Sequence, residues 1–312
     1  MILYKSREIS PPNSTEMTLF LKILWAISLE SVNLGNINTR KNQFFGCSRP
    51  LPPPDGCMSD TLLTDYPHPG VVRITLNRPN RCNALSWERL LRFEEVLSQL
   101  PEQEEKVVIL RGEGKHFCSG LDLAQAAAAG TDDEGLGRAM PELVTRILRA
   151  ILTLPQTVIA AVHGAAIGGG GALVSVSDYV IAGESARIGF PELWHALDCS
   201  LLYPFLRRRL SAAALKALHL RREGIDRQAA SSLGLVHECA ADEELDAFAL
   251  ARAESLSVIE KADLAERKKK ANTDLLPAEE EIRLGLAAHW QSWKSPQVQQ
   301  RIRAFLDRTK RG

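Results

Sequence analysis

The stretch 157–192, TVIAAVHGAAIGGGGALVSVSDYVIAGESARIGFPE, constrains this chain more than any other part of it. It opens as an apolar, β-branched run and then sets four glycines in a row, Gly168, Gly169, Gly170 and Gly171. A small-residue helical pattern follows, then a second apolar run, YVIAG, and the stretch closes on Pro191 and Glu192. Consecutive glycines after a strand mark backbone that something must approach closely, because a side chain would fill the gap. If a helix starts in that run, its first N–H groups have no partners within the helix, and its dipole favours negative charge there. The expectation is a site for a developing oxyanion, with Glu192 as the group that moves a proton.

Composition permits such a site. The 312 residues, 45% apolar and 24% charged, are ordinary for a globular chain with a sizeable core. A formal net charge of zero gives no global field towards nucleic acid or an anionic membrane. Six scattered cysteines without a CxxC pair point to a reduced compartment and no structural zinc. The apolar run TLFLKILWAISL near the N-terminus is broken by Lys22 and is too short to span a bilayer. Glu8 and Glu16 before it fit a signal peptide poorly and count against the mitochondrial presequence that Lys5, Arg7, Lys22 and Arg40 would allow, so the expectation is a soluble intracellular protein, cytoplasmic, mitochondrial or peroxisomal, without a clear targeting signal.

Residues 1–57 are rich in Asn, Ser and Pro and end in the spacer RPLPPPDGC, which reads as a disordered extension. From Gly70 the pattern sharpens. VVRITL, VVILRG, TVIAAV and YVIAG read as strands, and Ser86 is placed to cap a helix over WERLLRFEEVLSQL. The alanine-rich segment 124–137 reads as mobile, with a helix beginning at Pro141. Beyond Glu192 the chain is almost wholly helical, with Gly234 as a helix stop and GLVHECA as a short strand. Strands with interleaved helices followed by a helical tail indicate an α/β core over 58–245 and a C-terminal helical region over 246–312.

Four pieces occur in order: NRPNRCNAL, HFCSGLDL, HGAAIGGGGAL and FPEL. As a set they resemble the crotonase family, the enoyl-CoA hydratases and isomerases. The resemblance runs from about residue 71 to about 241 and implies a spiral of ββα units with a C-terminal helical region. It implies an acyl-CoA thioester as substrate, no cofactor beyond that CoA, and a homotrimer or hexamer. By motif position it assigns the oxyanion donors to the amides of Ser119 and Gly169, and the acid/base to Glu192. Arg78 and Arg81 would lie near the CoA end, either meeting phosphates or as solvated loop arginines, and the Lys268–Lys270 cluster would either meet the CoA phosphates, from its own or a neighbouring subunit, or form a solvated face. Cys118, Gly120, Asp122, Gly168 and Gly170 would build the substrate-binding loops, Asp122 by bracing its own loop and Cys118 by packing. A dinucleotide fingerprint lacks its G-x-G-x-x-G spacing here, and no P-loop motif is present.

The departures from the family pattern bear on the reaction. Two-glutamate hydratases resemble this chain except that their second glutamate falls where Ala172 stands. Adding water is easiest when two carboxylates clamp it, whereas moving a double bond needs one base that lifts a proton and returns it. Isomerisation of an enoyl-CoA is therefore expected first and single-glutamate hydration second. A non-catalytic acyl-CoA-binding relative is a third reading; RNA binding has no basic, aromatic-interleaved patch to support it. The apolar loop after Glu192, WHALDCSLLYPFLRRRL, implies a reshaped acyl pocket. In it Asp198 is either a second carboxylate, as in dienoyl-CoA isomerases, or a loop-capping acid, and His195 reads as a neighbour on the turn.

Overall fold

The computed structural model describes residues 61–132 and 135–309. The extension expected over 1–57 lies outside them. The main sheet has six strands in the order β1 (Leu62–His68), β2 (Val71–Leu76), β3 (Val107–Gly112), β4 (Thr157–Val162), β6 (Tyr179–Ala182) and β8 (Glu238–Cys239). β1 is antiparallel to β2, and every later neighbour is parallel. Two short strands leave this sheet and pair with each other in parallel, β5 (Ala165–Ile167) with β7 (Arg187–Gly189). The chain thus winds through strand pairs and helices, as the resemblance implies.

The apolar runs are nearly continuous because the parallel strands are covered on both faces. Val72, Ile74, Val108, Leu110, Val158 and Ala160 face the main core, while Val71, Val107, Ile109, Ile159 and Ala161 face a second, smaller one. Helices α1 (Trp87–Gln99) and α3 (Leu136–Thr153) pack together on the first side. Helix α8 (Leu245–Ser257) closes the second side with Leu245, Ala249 and Ala253. The division expected between residues 245 and 246 therefore falls in the first turn of α8, a helix that belongs to the sheet's own packing.

Several local expectations change. Segment 124–137 is not featureless. A short helix, α2 (Leu123–Ala128), starts behind the cap of Asp122, and α3 begins at Leu136 with Pro141 inside it. The strand β1 was not visible beforehand, since its run LLTDYPH lacks a clean alternation. The remaining helices are α4 (Gly169–Val176), α5 (Tyr203–Arg209), α6 (Ala212–Leu220), α7 (Arg227–Ser232), α9 (Lys261–Asn272), α10 (Glu279–Trp293) and α11 (Pro296–Thr309). α10 packs on α3 and α5, and α11 packs on α2 and on the turn that carries Glu192. The apolar face of α11 is engaged within the chain. Ile302 is buried, and Phe305 sets its ring edge-on to His195 at 4.8 Å. No helix among the described residues is long and apolar enough to cross a membrane.

Lys268, expected near CoA phosphates, is instead buried under the sheet. Its Nζ lies 2.6 Å from Asp178 Oδ2 and donates to the Gln156 carbonyl at 2.9 Å, while the same Asp178 oxygen accepts from the Val158 amide. Of that cluster, Lys269 is solvent-exposed, and Lys270, also exposed, pairs with Glu266 one turn away. Removing one partner of a buried pair leaves an uncompensated charge, so Lys268→Ala is expected to lower stability by about 3 kcal/mol. Urea unfolding followed by circular dichroism checks this; a change in midpoint corresponding to under about 1 kcal/mol would mean the pair is solvated.

Candidate active site

The site is assembled by backbone stitching between two loops. After β3 the chain runs through Phe117, Cys118, Ser119 and Gly120 beside β5. Phe117 N–H donates to His163 O, Cys118 N–H to Ala165 O, and Ile167 N–H returns to Cys118 O, each at 2.9 Å. This zipper brings the 118–122 loop against the glycine run. The contact is so close that a Cβ on Gly170 would lie 2.2 Å from the Cys118 carbonyl oxygen. Gly168, at φ +55°, turns the chain from β5 into α4, a conformation that a side chain would strain. From the other side the Leu85 amide donates to Gly120 O at 2.8 Å, and the Asp122 amide to Leu85 O at 3.0 Å.

Accounting for the loop's amides decides which of them can reach a ligand. Ser119 N–H donates to Cys82 O at 2.9 Å, and Gly120 N–H to the Cys118 thiol. Asp122 N–H is engaged by Leu85. Among the described residues Leu121 N–H has no acceptor, and neither has Gly169 N–H at the start of α4. The two lie side by side. A Cβ on Gly169 would be 3.8 Å from Leu121 N, and one on Gly120 would be 3.2 Å from Gly169 N. The expectation for Gly169 thus fits an open amide, whereas Ser119 is already bonded and the open amide of its loop belongs to Leu121. No sequence signal separates these two, because the difference lies in which carbonyl each amide meets.

Asp122 braces the loop. Its Oδ1 caps α2 through Gln125 N, and its Oδ2 pairs with Arg78 Nη1 at 2.8 Å. Arg78 is held there, while Arg81 is exposed to solvent. Cys118 is fully buried, and burial pushes its thiol up to about 11, so it packs and is not a nucleophile.

Glu192 reaches the same place through the second small sheet. β7 pairs with β5, Gly168 N–H donates to Gly189 O at 2.8 Å, and the turn Pro191–His195 follows at once. Glu192 Oε1 lies 2.9 Å from where a Cβ on Gly168 would stand. The residue is partly exposed along its length, but its carboxylate tip is buried, and Oε2 has no partner among the described residues. Burial pushes this carboxyl up to about 7, against a smaller opposing effect of its own backbone amide. Ala172 is fully buried in α4 and adds no polar group.

Asp198 and Cys199 lie on the loop that follows Glu192. Asp198 Oδ1 accepts from Ser200 N at 2.6 Å, turning its own loop. Helix α10 holds that loop, with Ser292 Oγ accepting from Asp198 N and His289 Nδ1 2.7 Å from Asp198 O. Cys199 follows, with its sulfur 3.8 Å from both ring nitrogens of His219. Burial, then the charges of Glu192 and Asp198, push this thiol up to about 12. Cys199 and His219 were not expected from the sequence, where they stand twenty positions apart. No group of three or more His, Cys, Asp or Glu among the described residues could hold a metal ion.

Comparison with known proteins shows the family. The enoyl-CoA hydratase/isomerase family model matches residues 67–311. A probable enoyl-CoA hydratase of Rhodobacter capsulatus is 32% identical over 246 residues, covering 77% of this chain and 92% of that protein. A probable enoyl-CoA hydratase of Mycobacterium leprae is 32% identical over 198 residues, so that 60% of this chain spans 66% of it. A peroxisomal Delta(3,5)-Delta(2,4)-dienoyl-CoA isomerase of Arabidopsis thaliana is 36% identical over 141 residues, 42% of this chain and 52% of that enzyme. The crystal structure of an enoyl-CoA hydratase/isomerase from Xanthobacter autotrophicus superposes with a TM-score of 0.69 at 28% identity, over 80% of this chain and 93% of that one. The paired loops, the glycine run and the matched length together place this chain in the enoyl-CoA hydratase/isomerase family.

Proposed function

We propose that this chain shifts a double bond in an enoyl-CoA thioester, with Glu192 as the sole acid/base. The observation that carries this reading is the lone, desolvated Glu192 carboxylate beside two open amides, with Ala172 where a second acid would stand. The thioester oxygen would accept hydrogen bonds from Leu121 N–H and Gly169 N–H. Glu192 as carboxylate would take a proton from the carbon next to the carbonyl of a 3-enoyl-CoA, and the electron pair would spread into a dienolate held on that oxygen. The same carboxyl would return the proton two carbons further on, giving the 2-enoyl-CoA. Atoms and charge balance with one base and no water. Amides already fixed in the zipper pay no reorganisation cost as the charge develops, which is what makes such donors effective.

Hydration of 2-enoyl-CoA is the second reading, favoured by the names of the Rhodobacter and Mycobacterium relatives. It would need Glu192 alone to hold and deprotonate a water. The two reactions separate on incubating the protein with 3-enoyl-CoA and with 2-enoyl-CoA while following conjugated-thioester absorbance and products. Faster appearance of the conjugated thioester from 3-enoyl-CoA than its loss from 2-enoyl-CoA is expected. The opposite order makes the chain a hydratase, and conversion of neither with CoA thioester still bound makes it a binding protein.

Two further outcomes test Glu192. Glu192→Gln is expected to lower kcat/KM by about 10²–10⁴-fold, the usual worth of a positioned acid/base; activity within threefold of wild type would remove it from the mechanism. The reaction begins from the carboxylate, so kcat/KM should rise as pH increases through about 7, where the buried group ionises, and level off above it. A profile already flat from pH 5 upwards would mean that the carboxyl is solvated in the working enzyme.

A further inference from the structure

Arg89 sits in the first turn of α1, fully buried, with no carboxylate partner among the described residues. Among those residues its Nε and Nη2 have no acceptor, and Nη1 makes one long bond, 3.3 Å, to the Ala84 carbonyl. A buried cation without a counter-charge is costly, and a positive charge at a helix N-terminus opposes the helix dipole. Burial pulls this guanidinium down to about 10, opposed by Cys118 and Asp122 and reinforced by Arg78, so it stays charged at neutral pH. Fold stability therefore gives no reason for an arginine at this position.

Its single bond leads to the site. The Ala84 carbonyl and the Leu85 N–H belong to one peptide group, and Leu85 N–H donates to Gly120 O at 2.8 Å. The Gly120 carbonyl and the Leu121 N–H belong to the next peptide group, and Leu121 N–H is one of the two open amides. The bonds thus run in one direction, from the Arg89 guanidinium through two peptide groups to the amide that faces the site. A charged donor polarises the peptide it bonds, that peptide polarises the next, and hydrogen bonds in such a chain strengthen one another by ~10–30% each. Each step makes the terminal N–H a better donor.

We propose that Arg89 is an electrostatic positioning residue for the reaction, charging the Leu121 amide through the Ala84–Leu85 and Gly120–Leu121 peptide groups. It touches no substrate. Its effect grows with negative charge on the thioester oxygen, so it favours the enolate over the bound ground state and acts on kcat more than on KM. The proposal rests on the oxyanion-hole reading above and goes beyond it by naming a remote source of that site's field.

The test replaces the charge with a similar apolar shape, Arg89→Met, and reads three quantities. The expected result is a kcat lowered by about 10-fold, less than the loss of a direct oxyanion donor. KM should stay within twofold, and the melting temperature should be equal or higher, since an unpaired buried charge is gone. Arg89→Gln, which keeps a neutral donor to Ala84, should fall between, and it decides the matter if the Met variant does not fold. The third readout is the infrared carbonyl stretch of a bound acyl-CoA thioester, which needs no turnover. A shift to lower frequency in the wild type that shrinks in the variants supports the proposal. The same shift in all of them, or a kcat within twofold of wild type in a folded variant, overturns it. No shift in the wild type overturns the oxyanion-hole reading instead.

Discussion

The contact between Cys118 and Gly170 is the constraint on which the rest of the site depends. The loop after β3 and the glycine run can lie together only because no side chain intervenes where a Cβ would come within 2.2 Å of a carbonyl oxygen. Once they lie together, the bonds to Ala165, Cys82 and Leu85 fill most of the loop's hydrogen-bonding capacity and leave the Leu121 amide open beside that of Gly169. Rigid backbone, not a flexible side chain, then presents the donors. That choice suits chemistry in which charge appears on an oxygen only briefly, since fixed dipoles need not reorient when it does.

The carboxylate is positioned by the same economy of structure. β5 delivers the glycines and β7, paired with it in parallel, delivers Glu192, so one three-residue pairing sets the distance between amides and acid. The 3₁₀ turn leaves Oε2 buried and unbonded, which holds the carboxyl near neutrality in proton affinity. Near it stands the weakly acidic Cys199, against His219, whose ring meets Phe190 edge-on. The C-terminal helices complete the enclosure from within the same chain, through Ser292 and His289 on the Asp198 loop and Phe305 on His195.

Much of this was legible in the sequence because it rests on local chemistry. The β-branched runs became β2, β3, β4 and β6, Ser86 caps α1, and Asp122 braces its loop. Four glycines and a proline–glutamate turn marked the site because backbone approach leaves a compositional trace. What sequence did not carry was hydrogen-bond partnership at a distance. Ser119 and Leu121 are two residues apart in the same motif, and only the fold shows that Cys82 takes the amide of one and leaves the other open. Lys268 looked like part of a solvated basic cluster until Asp178 met it under the sheet, ninety residues away in the chain. Arg89 was hidden in an amphipathic helix whose pattern gives no hint that the guanidinium turns inward.

The central claim is that the open amides of Leu121 and Gly169 hold the thioester oxygen while Glu192 serves both carbons of the moving proton. A crystal structure of the Glu192→Gln variant with a 3-enoyl-CoA bound tests it most directly. The account predicts the thioester oxygen within hydrogen-bonding distance, about 3 Å, of both amide nitrogens, and the residue-192 side chain over the carbons that lose and regain the proton. A thioester oxygen bound elsewhere, or a side chain at 192 turned away from the acyl chain, would contradict it.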